Sequence, residues 1–216
     1  MTCSSPVTLK SGYTVRCGQC MSCRVTRRTE WFTKLYLEYS VTKLCSFVTL
    51  TYSPEHYPSD RSVHKDEIQK FMKRFRKYSG SKVRYFAVGE YGTKSKRAHY
   101  HVLMFGLDNA IVSKNVNKAW TYGYTWVRPI SGSVGMKDAL NTIKYTIGYT
   151  LKKLTNENSF DDGRFPEFAL MSRMPSLGTG ALPVLADHLI SSGLFPTRSL
   201  DTESRFNIRE DGSINI

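Results

Sequence analysis

The chain has 216 residues, 40% of them apolar and 12% aromatic, which is enough for a real core and excludes wholesale disorder. Lys and Arg number 31 against 18 acidic residues, a formal charge of +13, and a balance that basic favours a polyanionic partner, usually nucleic acid. No run approaches the ~20 apolar residues of a membrane span, and MTCSSPVTLKSGYTVRC at the N-terminus lacks the apolar stretch of a secretory signal; a soluble, intracellular protein with no membrane contact is expected.

Four of the five cysteines lie in the first 23 residues, as Cys3, Cys17, Cys20 and Cys23. Without an export signal, such clustering argues for a metal or plain thiols over disulfides. Gaps of two residues let neighbouring thiolates bind one ion, and Cys3 would complete a tetrahedral Zn²⁺ set. Free thiols in a basic segment are an equally weighted reading, and an iron–sulfur cluster is a rival use of the spacing.

Residues 26–40 read as a helix with Trp31, Leu35 and Tyr39 on one stripe. CSFVTLTY (45–52) is β-branched and aromatic and so reads as a strand, with Cys45 as a small core residue. Over 63–78, Ile68, Phe71, Met72 and Phe75 recur at helical spacing, while Lys70, Lys73, Arg74 and Lys77 cover the rest. VRYFAVGEY (83–91) and AHYHVLMFGL (98–107) are strands joined by the basic loop GTKSKR, which carries Lys96 and Arg97. A helix at 110–120, a strand at 124–130 and a long helix at 136–154 follow. Strand–helix–strand–strand–helix–strand is the split βαβ pattern of ferredoxin-like folds, so an α+β domain is expected, an antiparallel sheet with helices packed on it. Residues 161–216 hold 5 basic and 8 acidic residues, so the basic surface belongs to the earlier part of the chain. From Leu177 onward the composition suggests an extended arm or partly ordered tail.

Chemistry concentrates in three places. His99 and His101 sit two apart in a strand, which projects both imidazoles from one face about 7 Å apart and turns Tyr100 to the other. A divalent cation suits that pair; a polar edge or direct phosphate contact is the alternative. If the two strands form a hairpin, Glu90 comes close to the histidines, and a carboxylate with two imidazoles suits Mg²⁺ or Mn²⁺. In the helix at 136–154, Met136, Leu140, Ile143, Ile147, Leu151 and Leu154 form an apolar stripe. Tyr145, Tyr149 and Lys152 share the opposite side, where two phenols one turn apart can face a cleft. A nearby lysine assists a tyrosine nucleophile by stabilising its oxyanion.

FVTLTY (47–52), HYH with its apolar flank (99–105) and YTIGYTLK (145–152) resemble, in order, the three motifs of HUH endonucleases. Those include rolling-circle replication initiators, relaxases and related transposases. CGQCMSCR (17–24), TLTYSPEHYP (49–58), GEYG (89–92), RAHYHVLMFG (97–106) and LMSRMPSLG (170–178) resemble segments of the replication initiators of microviruses, the gokushovirus group in particular. The likeness spans roughly residues 1–180. One departure is Ser176-Leu177-Gly178, where Gly-Ile-Gly is more usual; it is not expected to touch the active site.

The resemblance implies an RRM-like HUH nicking–joining domain over 45–160. A Cys-rich segment and helix (1–44) would precede it and a C-terminal extension (161–216) would follow. His99, His101 and Glu90 would hold Mn²⁺ or Mg²⁺ on the scissile phosphate of origin DNA. Tyr145 or Tyr149 would form a 5′-phosphotyrosine bond, with Lys152 stabilising the oxyanion or phosphate. Lys70, Lys73, Arg74, Lys77, Lys96 and Arg97 would track the single-stranded DNA backbone. With no P-loop in the sequence, a host helicase and polymerase are expected partners, in the bacterial host's cytoplasm. Three rivals stand beside this reading: a non-catalytic RRM-like binding module, a zinc-ribbon-type structural or packaging protein, and a hydrolytic metal-dependent nuclease that releases free ends.

Overall fold

The computed structural model describes residues 2–130, 140–146, 148, 163–193, 207–208 and 214–215. A short hairpin of β1 (Val7–Thr8) and β2 (Thr14–Val15) precedes a long helix α1 (Met21–Thr42). Then come β3 (Cys45–Tyr52), α2 (Lys65–Ser79), β4 (Arg84–Tyr91), β5 (Ala98–Phe105), α3 (Asn109–Ala119) and β6 (Gly123–Ile130). Residues 140–146 are helical (α4), and β7 (Phe168–Met171) follows. The five long-range strands form one antiparallel sheet in the order β6-β3-β5-β4-β7. Its first four strands are arranged as the split βαβ pattern requires. Among the described residues, no helix is long and apolar enough to cross a membrane.

Helices cover both faces of this sheet, so its central strands are apolar on both sides. On one face Val48, Leu50, Val102 and Ala87 meet Ile68, Phe71, Met72 and Phe75 of α2 and Val112 and Val116 of α3. On the other, Cys45, Phe47, Phe86, Val88, Leu103 and Phe105 meet Leu35 and Tyr39 of α1 and Ile143 of α4. The α2 stripe read from the sequence is therefore the buried one. Asp66 and Glu67 in its first turn and Arg76 and Lys77 in its last complement the helix dipole, and Gly80 ends it in the left-handed conformation (φ 64°).

Two elements exceed what the sequence marks. Helix α1 starts at Met21 rather than 26, because Cys20 and Cys23 shape its first turn, ahead of the apolar stripe that periodicity detects. Strand β7 extends the sheet beyond residue 161, where a C-terminal extension is expected, and pairs Gly89 with Phe168. A four-residue strand is too short for alternation to reveal. The segment after it closes onto α1. Leu177 is buried, the Gly178 amide donates to Glu38 Oε2 at 2.8 Å, and Arg84 bridges Glu38 Oε1 (2.6 Å) and the Ser176 carbonyl (2.6 Å). A Cβ on Gly178 would lie 2.9 Å from the Lys34 carbonyl oxygen, so only glycine permits this approach. The compact unit thus runs from Met1 to Ala181; a second, Leu182–Ile216, contains helix α5 (Leu182–Ser191) and a hairpin of β8 (Asn207–Ile208) and β9 (Ile214–Asn215).

Candidate active site

Strand register assembles the site. Glu90 of β4 is the cross-strand partner of His99 in β5, and His99 and His101 lie opposite Thr51 and Thr49 of β3. Cross-strand partners share a face, so all five side chains belong to the face covered by α1 and α4. Tyr100 points the opposite way into the α2 side, as the alternation requires.

The three expected ligands converge. Glu90 Oε1 lies 2.8 Å from His99 Nε2 and 3.2 Å from His101 Nε2, and Glu90 is 3% exposed. Burial pushes the Glu90 carboxyl up, but hydrogen bonds from His101 and His99 outweigh it and hold the group at about 2. The far nitrogens are engaged as well. His99 Nδ1 lies 3.1 Å from the Arg97 carbonyl, which can only accept, so the proton sits on Nδ1. His101 Nδ1 lies 3.0 Å from the Thr49 hydroxyl. Both Nε2 atoms therefore face Glu90, and loss of their protons would free two lone pairs at one point.

This donor set fits a divalent cation. One ligand atom from each of Glu90, His99 and His101 lies within 4.8 Å of the others. Glu90 Oε2 is buried with no hydrogen-bond partner among the described residues, a costly state for a carboxylate oxygen that a cation would relieve. Imidazole and carboxylate with room for water or phosphate oxygens match Mn²⁺ or Mg²⁺ in donor type.

Phe47 connects this triad to the helix above it. Its ring stacks on His101 (centroids 5.0 Å, interplanar 25°) and meets Tyr145 of α4 edge-on at 6.2 Å. On its third side stands Trp126, also at 6.2 Å. Within α4, Ile143 is buried as the apolar stripe anticipates, and Thr142 and Thr146 are buried beside it. Arg128 of β6 donates to the Thr142 hydroxyl, and Lys144 stacks over Phe32 of α1 at 5.8 Å. Tyr145 keeps half its surface exposed. Tyr149 and Lys152 lie outside the described residues.

A family model for the replication-associated protein ORF2 matches residues 45–154, half of the chain, from the first strand of the sheet through the tyrosine pair. The chain belongs to that family. Its curated relatives include replication-associated protein ORF2 of Spiroplasma virus 4, 32% identical over 65% of this chain and 48% of its own. Replication-associated protein VP4 of Bdellovibrio phage phiMH2K is 30% identical over 69% of this chain and 52% of its own. The chain thus spans about half the length of these relatives. Among solved structures, hypothetical protein ORF119 of Sulfolobus islandicus rod-shaped virus 1 aligns with 54% of this chain and 90% of its own at 18% identity. Its TM-score of 0.37 is too low to support any argument. The resemblance to microvirus replication proteins drawn from the motifs is, at the level of the family, the one found.

In this member of the family the basic residues fall on two faces. Lys94, Lys96 and Arg97 are exposed in the β4–β5 loop, next to His99. Arg97 stacks on Tyr57 at 4.5 Å and donates to the Tyr52 carbonyl. Lys70, Lys73, Arg74 and Lys77 sit on α2, across the sheet from the triad. There Lys70 pairs with Asp66 at 2.8 Å, and Arg74 donates to the Ala119 carbonyl at 2.7 Å and stacks on Tyr122. Periodicity and charge do not single out Phe47, Thr49, Tyr124 or Trp126. The last two are 66% and 54% exposed, and their register opposite Thr51 and Thr49 puts them on the triad's face. Alternation along GYTWVRPI, read against the histidine strand, is the signal that places them.

Proposed function

We propose that this chain initiates replication of a circular viral genome by nicking and rejoining single-stranded DNA at an origin, using tyrosine as the nucleophile. The observation that supports this best is the meeting of a buried Glu–His–His donor set and the Tyr145 ring around Phe47, on one face of the sheet. Glu90, His99 and His101 would hold Mn²⁺ or Mg²⁺, which when bound supplies Lewis-acid polarisation of the phosphoryl oxygens.

The protein's own groups do the rest. The phenol oxygen of Tyr145 or Tyr149 loses its proton and attacks phosphorus; the P–O3′ bond breaks, and its electron pair with a proton becomes the free 3′-OH. The 5′ side remains as a phosphodiester on tyrosine. Because that bond is conserved in kind, a second 3′-OH can displace the tyrosine and reseal DNA without ATP. Two phenols one turn apart allow one to cut while the other is released, and Lys152 would stabilise the attacking oxyanion. Exposed Tyr124 and Trp126 offer faces on which unpaired bases can stack, and the loop at Lys94, Lys96 and Arg97 offers charge for the backbone.

The test is a denaturing gel of the protein with single-stranded origin DNA and Mn²⁺. A DNA band shifted by the mass of the protein is expected, lost with EDTA, with His99→Ala plus His101→Ala, and with Tyr145→Phe plus Tyr149→Phe. Each single tyrosine variant should retain one round of nicking or weaken it. Cleavage without an adduct would identify a hydrolytic nuclease instead, and binding without cleavage across several origins a non-catalytic RRM-like module.

A further inference from the structure

Residues 2–20 fold without a core. None of them is buried, and Val7, Leu9, Tyr13 and Val15 are among the exposed apolar side chains. The β1–β2 hairpin has two residues per strand, far short of what is stable in water by itself. What gathers this segment is sulfur. Cys3 precedes the hairpin, Cys17 follows it, Cys20 is the N-cap of α1 and Cys23 is buried in its first turn. None is disulfide-bonded.

The four Sγ atoms lie within 4.8 Å of one another. Cys3–Cys17 is 3.5 Å, Cys17–Cys23 3.9 Å and Cys20–Cys3 3.9 Å. Four thiolates placed tetrahedrally at about 2.3 Å around one ion stand roughly 3.8 Å apart. These separations are too long for an S–S bond of about 2.05 Å, and they suit one shared ion better than a cluster that spreads its thiolates over several irons. Backbone amides also aim at the sulfurs as they do at thiolates. Gln19 N and Cys20 N donate to Cys17 Sγ at 3.4 and 3.3 Å, and Cys17 N donates to Cys3 Sγ at 3.3 Å. Gly18 supplies the positive φ (73°) that turns the Cys17–Cys20 loop inward.

From this geometry we infer that Cys3, Cys17, Cys20 and Cys23 bind one structural Zn²⁺, which pins the N-terminal hairpin to the start of α1. The centre is closed, with four protein ligands and no position for substrate, so its role is in folding. It lies outside the residues matched by the family model and does not depend on the nicking chemistry proposed above.

The measurement is metal content and thiol reactivity of the full-length chain purified without chelators. One zinc per chain is expected, retained on dialysis and released when a mercurial titrates four thiols, with five free thiols after denaturation in EDTA. Replacing the metal with Co²⁺ should give the intense visible and near-ultraviolet bands of tetrahedral cobalt thiolate. The His99→Ala, His101→Ala protein should keep both zinc and cobalt spectrum, since that site contains no sulfur, and Cys17→Ser, Cys20→Ser should lose both. Cysteines that react at once in metal-free native protein, two disulfides found by mass spectrometry, or iron in place of zinc would each overturn the assignment. So would a folded cysteine variant that keeps one zinc. If that variant does not fold, the wild-type stoichiometry and cobalt spectrum decide.

Discussion

His99 and His101 are held at Nδ1 by different partners, a backbone carbonyl for one and the Thr49 hydroxyl for the other. The carbonyl is fixed by the chain, whereas the hydroxyl can be removed without moving the backbone. Groups that orient a metal-bound imidazole typically contribute 10–100-fold to metal affinity or activity. Thr49→Val, which preserves shape and β-branching, should therefore lower Mn²⁺-dependent cleavage about 10–100-fold and raise the Mn²⁺ concentration for half-maximal rate. DNA affinity without metal should stay unchanged. A rate within twofold of wild type would mean that His101 is held by Phe47 stacking alone. Behind the histidines, Tyr100 turns into a buried trio. Its hydroxyl lies 2.6 Å from that of Tyr52 and 3.0 Å from Glu67 Oε2, and Tyr52 also bonds Glu67. Burial pushes the Tyr100 phenol up, so it remains a neutral donor there. The histidine pair was legible as an i, i+2 pattern; this trio was not, because its members are distant in sequence and no spacing links them.

At the scale of elements, the sheet carries a strand that the periodicity does not disclose. Strand β7 packs Phe168 so closely over Gly89 that a Cβ there would stand 2.7 Å from its ring and 3.2 Å from Tyr100. Gly89 adjoins Glu90, so the bare backbone lets β7 cover the strand that delivers the ligand. Gly89→Ala should destabilise the protein by about 1–3 kcal/mol through overpacking, seen as a lower midpoint in urea with an unchanged slope. An unaltered midpoint would show that Phe168 yields freely and that β7 is only loosely attached. Helix α2 illustrates the opposite case. Its amphipathic stripe is strong enough that Ile68, Phe71, Met72 and Phe75 could be assigned to the core from spacing alone, and each is at most 1% exposed.

Across the whole molecule, the basic surface divides between the two faces of the sheet. Lys94 and Lys96 flank the triad, while Lys73 and Lys77 are exposed on α2 behind it. Each phosphate neutralised on a single strand contributes roughly 0.7 to the slope of log K against log salt. With an oligonucleotide long enough to cover only the catalytic face, Lys94→Ala plus Lys96→Ala should reduce that slope by about 1.4. Lys73→Ala plus Lys77→Ala should leave it unchanged and matter only for longer origin DNA. If the α2 pair produced the loss with the short strand, the path of DNA would run over the opposite face. The sequence could rank these lysines by charge density, but it could not say which side of the sheet each occupies.

By itself the sequence determined the order and type of most elements, the buried stripe of α2, the shared face of His99 and His101, and the cysteine spacing. All of these are local, set by the repeats of strand and helix or by ligands a few residues apart. Tertiary structure alone decided the rest: the register of Glu90 against His99, the position of Phe47 between His101, Tyr145 and Trp126, the fifth strand over Gly89, and the arrival of Cys3 beside Cys17, Cys20 and Cys23. Those juxtapositions join residues separated by up to about a hundred positions. They exist only once the two cores have fixed the order of the strands and the helices above them, because packing between elements, unlike their internal repeat, leaves no period in the chain.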